Sequence, residues 1–245
     1  PCPPGTYNPE EGAKSENSCL PSPAGSYVDY PASPSFTLCP AGTFSPLHSQ
    51  DSVESCEPVP PGSFSLAGAS SPVLCPPGQF QPEAGQASCL LAEIGNFSNS
   101  QGSLLQIECG VNQSTLGLGS TSQSDCVAAP GFRNGEEFPV ACPEGEYQPD
   151  PGQEFCLKAS PGHYVDSPSS ASQSPCPPGT YNPLSGSISP LSCIEVPSGT
   201  YSPGGSPSAL NASPGYFVAA NNSSMQFPCP PGTYNPEEGA KSENS

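Results

Sequence analysis

The sequence predicts a small disulfide-rich protein, mostly β and irregular: an elongated linear array of short hairpin and turn units without a central core. Three observations predict it. Pro and Gly make up 63 of the 245 residues, thirteen Cys are spread along the whole chain, and a short motif returns after each Cys. Only 33% of the residues are hydrophobic and Trp is absent, which is too little to fill the contiguous core of a globular enzyme of this length. Pro recurs too often to leave room for long helices.

Four Lys and Arg stand against 22 Asp and Glu, a formal net charge of −18. Phosphate binding needs clustered cations, so nucleic acid is excluded as a partner, and an anionic membrane surface with it. The acidity reads as a solvated, self-repelling exterior. No run approaches the ~18 apolar residues of a membrane span, so no membrane span is expected in this segment. The sequence opens mid-motif at Pro1-Cys2 without a signal-peptide pattern and reads as a window cut from something longer.

The Cys positions are 2, 19, 39, 56, 75, 89, 109, 126, 142, 156, 176, 193 and 229, with nearest neighbours 14 residues apart. Structural zinc and thioredoxin-like sites rest on two Cys separated by only a few residues. Such a pair occurs nowhere, so no metal is expected. Disulfides in an oxidising, extracellular or cell-surface setting are the expectation.

Two motif forms alternate. In the first, Gly follows Cys by three residues and an aromatic comes two later: CPPGTY at Cys2, Cys176 and Cys229, CPAGTF at Cys39, CPPGQF at Cys75 and CPEGEY at Cys142. In the second, the same Gly-x-aromatic tail sits three residues further out: CLPSPAGSY at Cys19, CEPVPPGSF at Cys56, CLLAEIGNF at Cys89, CLKASPGHY at Cys156 and CIEVPSGTY at Cys193. Cys126 opens a shortened version, CVAAPGF, and Cys109 opens a unit in which Asn112 stands for Gly. This is an internal repeat of about 17 residues, grouped in pairs, the signature of a linear array.

The pattern resembles the ephrin-receptor-like cysteine-rich repeat (GCC2/GCC3 type), related in style to tumour-necrosis-factor-receptor modules. Members of that family run Cys-x-x-Cys-Pro-x-Gly-x-Tyr. Here each Cys-x-x-Cys keeps one member. Where the first Cys survives, the second place holds Ser22, Val59, Ala92, Ala129, Ala159 or Val196; where the second survives, the first place holds Phe36, Pro72, Gln106, Pro139, Gln173 or Gln226. The resemblance covers nearly the whole chain, weakening around 109–119 and 203–228. It implies the bridges Cys2–Cys19, Cys39–Cys56, Cys75–Cys89, Cys109–Cys126, Cys142–Cys156 and Cys176–Cys193. The partner of Cys229 is expected at position 246, beyond the sequence.

The paired grouping divides the chain into 1–38, 39–74, 75–108, a divergent 109–141, 142–175, and 176–227. The last of these holds an extra cysteine-free unit at LNASPGYF, residues 210–217, with Leu210 in the Cys place and Tyr216 as the aromatic. Residues 228–245 start the next period. A bridge closing about 15 residues contributes about 3 kcal/mol, a small part of what ordering a unit costs. Each unit must therefore stack on its neighbours. The motif aromatics, from Tyr7 and Tyr27 through Phe132 and Tyr216 to Tyr234, are read as a packing ladder, with carbohydrate stacking as the other use of such a row. The preceding Gly fits a turn at positive φ, which Asn112 tolerates.

Residues 1–18, PCPPGTYNPEEGAKSENS, recur without change at 228–245. That is a super-repeat of 227 residues, and it predicts copies joined end to end or one long continuing chain.

Asn-x-Ser/Thr sequons occur at Asn96, Asn112, Asn211, Asn221 and Asn222, expected N-glycan sites in a secreted chain. Asn211 is the weaker because Pro214 follows its Ser, and the adjacent Asn221 and Asn222 are not expected to be occupied together. Ser-Pro pairs such as Ser202-Pro203 fit O-linked decoration or plain loops. No cofactor is expected besides such glycans. His48 and His163 lie in unrelated units without a recurring Ser or Asp partner, and Glu144, Glu146, Asp150 and Glu154 lack the acidic loop pattern of a dedicated calcium site. No catalytic residue is expected, and the chain is not read as an enzyme. The function expected is that of a structural subunit of a glycosylated extracellular filament or surface hair, with mastigoneme-like appendages as one example. The alternative is a receptor or adhesin stalk binding a protein or glycan ligand.

Overall fold

The computed structural model describes residues 1–243. It consists of short antiparallel hairpins, each a separate two-stranded sheet, thirteen among the described residues. The chain divides into two compact units, 1–111 with 115–126 and 112–114 with 127–245. Asn244 and Ser245, the end of the second copy of the 18-residue segment, lie outside the described residues.

In the first unit Thr6–Tyr7 pairs with Leu20–Pro21, Ser26–Tyr27 with Thr37–Leu38, and Thr43–Phe44 with Glu57–Pro58. Ser63–Phe64 with Val73–Leu74, Gln79–Phe80 with Leu90–Leu91, and Asn96–Phe97 with Ile107–Glu108 follow. In the second unit the same pairing runs from Phe132–Arg133 with Val140–Ala141 to Tyr216–Phe217 with Phe227–Pro228. Strands of two residues bury little by themselves, and an isolated hairpin of this size is not stable in water. Backbone bonds between successive hairpins supply the rest.

In the first unit, Gly25 N–H donates to Ser45 C=O of the next hairpin (2.8 Å), while Cys39 N–H closes the hairpin of Gly25 on the Gly25 C=O (2.9 Å). Ser49 N–H donates to Ser22 C=O and Val28 N–H to Gln50 C=O, both 2.9 Å. The second unit repeats the set: Gly162 N–H to Asn182 C=O (2.7 Å), Cys176 N–H to Gly162 C=O (2.8 Å), Gly186 N–H to Ala159 C=O (2.7 Å) and Val165 N–H to Ser187 C=O (2.9 Å). These bonds give turn and loop backbone partners without a wide sheet, and no buried side-chain N or O among the described residues lacks a partner.

The core of each unit is a column of small side chains. Ser22, Cys39, Val59, Cys75 and Ala92 form it in the first; Cys142, Ala159, Cys176, Val196 and Ala212 form it in the second, all fully buried. Cys and a small residue alternate because both occupy the same backbone place, so the lost cysteines are replaced by side chains that fill their space.

The sequence motif misplaces the aromatic in two units. Phe132 pairs with Ala141 and Arg133 with Val140, whereas Tyr7 pairs with Leu20. Arg133 therefore stands in the aromatic place and Phe132 one residue before it. Likewise Phe217, facing Phe227, takes the place expected for Tyr216. Leu210 faces Tyr201 as Leu20 faces Tyr7, so Ala209 and not Leu210 holds the cysteine place of that unit. A shift of one residue exchanges the two faces of a strand.

Candidate functional site: the junction between hairpins

The chemistry of this chain lies in how each hairpin grips the next ones, and the motif Gly is the centre of that grip. Gly25 and Gly162 sit at φ 84° and 87°, where an L side chain costs ~1–2 kcal/mol. A second reason is spatial. A Cβ on Gly25 would run into the Gly68 carbonyl, and one on Gly162 into that of Gly205. Each of these loops belongs to the hairpin two further along, so the grip reaches past the adjacent hairpin. Asn112, standing where other units have Gly, adopts φ 61°.

Six disulfides join Cys2–Cys19, Cys39–Cys56, Cys75–Cys89, Cys109–Cys126, Cys142–Cys156 and Cys176–Cys193, with Cα separations of 5.5–5.8 Å. These are the pairs that the resemblance implies. The pairs 17 residues apart differ from those 14 apart by a 3-10 turn before the second Cys: Glu16–Ser18, Val53–Ser55, Gln123–Asp125 and Pro190–Ser192. Cys229, expected in a bridge, is half-buried and has no disulfide partner among the described residues.

Hairpins that lack a bridge carry a polar substitute in three cases. The side-chain carbonyls of Gln106, Gln173 and Gln226 each accept a backbone N–H, from Glu93, Ser160 and Ser213 respectively, at 2.7 Å. All three Gln occupy vacant cysteine places. Phe36, in another vacant place, instead meets the Tyr7 ring edge-on with centroids 5.2 Å apart.

A second buried column escaped the motif. The residue directly after the aromatic is buried in most units, as at Val28, Ser45, Ser65, Gln148, Val165 and Asn182. Its C=O receives the motif Gly of the preceding hairpin, and in several units its side chain reaches the same neighbour: Ser65 Oγ donates to Thr43 C=O (2.9 Å) and Asn182 Nδ2 to His163 C=O (3.2 Å). A small or amide side chain following each aromatic was the available signal.

The sequons fall on different surfaces. Asn112, Asn211, Asn221 and Asn222 are exposed and Asn96 is half-buried. Ser98, which completes the Asn96 sequon, is buried and donates its Oγ–H to Gln79 C=O (2.9 Å). Asn221 Oδ1 accepts the Ser198 N–H (2.9 Å), and Asn222 sits at φ 60°. His48 is exposed and His163 lies half-buried in a strand. Glu144, Asp150 and Glu154 are exposed, while Glu146 pairs across the sheet with Lys158. Among the described residues no three His, Cys, Asp or Glu come together to hold a metal, and no helix is long and apolar enough to cross a membrane.

No family model matches the chain. Two mouse proteins are similar to parts of it. "Signal peptide, CUB and EGF-like domain-containing protein 2" is 33% identical over 90 residues, which is 34% of this chain and 9% of that protein. "Sushi, von Willebrand factor type A, EGF and pentraxin domain-containing protein 1" is 31% identical over 94 residues, 38% of this chain and 2% of that protein. The chain thus matches a small stretch, well under two thirds of the length, of each of these two proteins.

Proposed function

We propose that this chain is a structural segment of a glycosylated extracellular filament or cell-surface appendage, built from ephrin-receptor-like cysteine-rich repeats and acting without enzymatic chemistry. The observation that carries this reading is the junction itself: a hairpin is tied to the next by three backbone bonds, as from Gly162, Val165 and Ala159 to the following hairpin, and its motif Gly packs on the hairpin after that, as Gly162 does on Gly205. Such a ladder gains stability by adding repeats and resists pulling along the chain. The recurrence of residues 1–18 at 228–245 supports a run that restarts itself, in copies or in one long chain. Six disulfides support an oxidising compartment, as does a relative whose name includes a signal peptide and EGF-like domains. N-glycans on the exposed sequons and the net charge of −18 would keep the surface hydrated.

Electron microscopy of the native material tests the reading: regular fibres containing this chain are expected, and isolated particles that saturate with a protein or glycan ligand would replace it with a receptor or adhesin stalk. Intact-mass analysis before and after glycosidase tests the decoration, and an unchanged mass would remove it.

A further inference from the structure

Hairpins with a bridge alternate with hairpins without one from Cys2 to Cys193, and those without fall into two kinds. In three of them Gln106, Gln173 or Gln226 clasps the N–H of Glu93, Ser160 or Ser213 across the mouth of the hairpin, at 2.7 Å. In four others the residue at that donor position is Pro23, Pro60, Pro130 or Pro197, which has no N–H to give. There the vacant cysteine place holds Phe36, Pro72, Pro139 or Ala209 instead of Gln. Gln thus stands in a vacant place only where a donor faces it.

Three of the four unclasped hairpins have another side-chain tie. Phe36 meets the Tyr7 ring edge-on, Asn134 Oδ1 accepts the Ala128 N–H at 3.0 Å, and Asn221 Oδ1 accepts the Ser198 N–H at 2.9 Å. At the mouth of the fourth, Val59, Pro60 and Pro72 offer no polar side chain and no donor. Two bridges flank this hairpin, Cys39–Cys56 before it and Cys75–Cys89 after it.

We propose that the unbridged hairpins are a length reserve released by tension, that the Val59–Pro72 hairpin opens first, and that the Gln-clasped hairpins open after it. Tension along the chain crosses a bridged hairpin through its disulfide, whose Cα atoms stay 5.5–5.8 Å apart. In an unbridged hairpin the same tension pulls the two sides of the mouth apart. The stretch between successive bridges, as from Cys56 to Cys75 or Cys156 to Cys176, is about 20 residues and extends to about 70 Å. The chain therefore lengthens in steps and stops once these stretches are spent, with the bridged loops still closed. The use of such a reserve rests on the filament reading, but the opening order is a property of the chain alone.

Pulling the full chain at constant force between handles at its two ends tests it, in a Cys229→Ser background that keeps thiol exchange out. The oxidised chain is expected to lengthen in discrete steps of about 70 Å, and reduction to raise its fully extended length about 1.5-fold. Pro72→Gln adds an acceptor without a donor and is expected to leave the earliest step at its rate. Pro60→Ser/Pro72→Gln supplies both and is expected to slow that step about fivefold, the factor that one hydrogen bond contributes. Gln106→Ala is expected to speed a later step by about the same factor. Opening in one event, or a double variant whose earliest step matches that of Pro72→Gln, overturns the proposal. If the double variant does not reach its six-bridge intact mass, Gln106→Ala decides, and later steps at unchanged rates overturn it. Native fibres made of a chain that opens without steps would remove the reserve and leave the filament reading. Native material without fibres would remove that reading, and the steps would still judge the hairpins.

Discussion

The Gln173 side-chain carbonyl accepts the Ser160 N–H at 2.7 Å, and it does so from the place a cysteine would occupy opposite Ala159. The side chain holds the two ends of its hairpin together as the neighbouring Cys142–Cys156 and Cys176–Cys193 bridges do, with a bond that needs no oxidant. Gln173→Ala is expected to lower stability by about 1 kcal/mol, the net worth of one such bond. The double variant Ala159→Cys/Gln173→Cys is expected to close a seventh bridge and raise stability by about 3 kcal/mol for a loop of this length. Non-reducing peptide mapping and denaturant unfolding check both. Two free thiols in the oxidised double variant would show that Gln173 does not stand in the cysteine place.

Gly162 and Gly12 separate the two reasons a motif needs glycine. Both have positive φ, 87° and 76°, but a Cβ at Gly162 meets the Gly205 carbonyl and one at Gly12 meets nothing. Gly12→Ala should therefore cost only the backbone term, about 1 kcal/mol. Gly162→Ala should cost that and more, because backbone of the second hairpin along has to move. Thermal unfolding of the two variants compares them directly. Equal losses would mean that the close approach to Gly205 contributes nothing.

Asp125 provides a pH-sensitive turn. Its carboxylate accepts the Thr121 N–H at 2.7 Å and the Ser122 N–H at 3.0 Å. These two bonds, Thr121's first, hold its pKa below the ordinary aspartate value. A folded-state pKa that is depressed contributes stability above the unfolded-state pKa, and that contribution is lost as pH falls through the folded value. The Thr121 and Ser122 amide resonances should thus stay constant through mildly acid pH and shift only below the usual aspartate range. Asp125→Asn should abolish the shift. A midpoint at or above the usual value would contradict the assignment.

Much of this fold was legible because the chain writes its junctions in fixed residue types. Gly at positive φ, the surviving Cys and the small residues in the vacant places mark the period, the hairpin count and the column of Ser22, Cys39 and Val59. The bridge pairs became legible through the family resemblance. The contact from Gly25 to Gly68 was not, since a motif repeated in every unit gives no sign of which unit it touches. The extra 3-10 turn at Val53–Ser55 was hidden in a spacing of 17 against 14. The aromatic row is ambiguous in the sequence where Gly and the ring are adjacent, as in Gly131-Phe132 and Gly215-Tyr216. There the ring type points to the residue after Gly, while the pairing register places Arg133 and Phe217, two residues after Gly, opposite the partner strand.

Arg133 holds one of these two aromatic places. It faces Val140 across the hairpin at the place where Tyr147 faces Leu157 and Tyr181 faces Ile194. Its guanidinium makes one long contact, Nη1 to Asn134 C=O at 3.5 Å, so little holds it there. Arg133→Tyr would restore an aromatic opposite a β-branched residue, a cross-strand pair that contributes about 0.2–1 kcal/mol. The expected outcome is a gain of that size in denaturant unfolding, with Val140→Ala cancelling it in the double variant. Phe132→Tyr, one residue earlier on the other face, should change stability little. If Phe132 and not Arg133 held the aromatic place, removing the Phe132 ring would cost more than the Arg133 change gains, and Val140→Ala would leave the Arg133→Tyr gain intact.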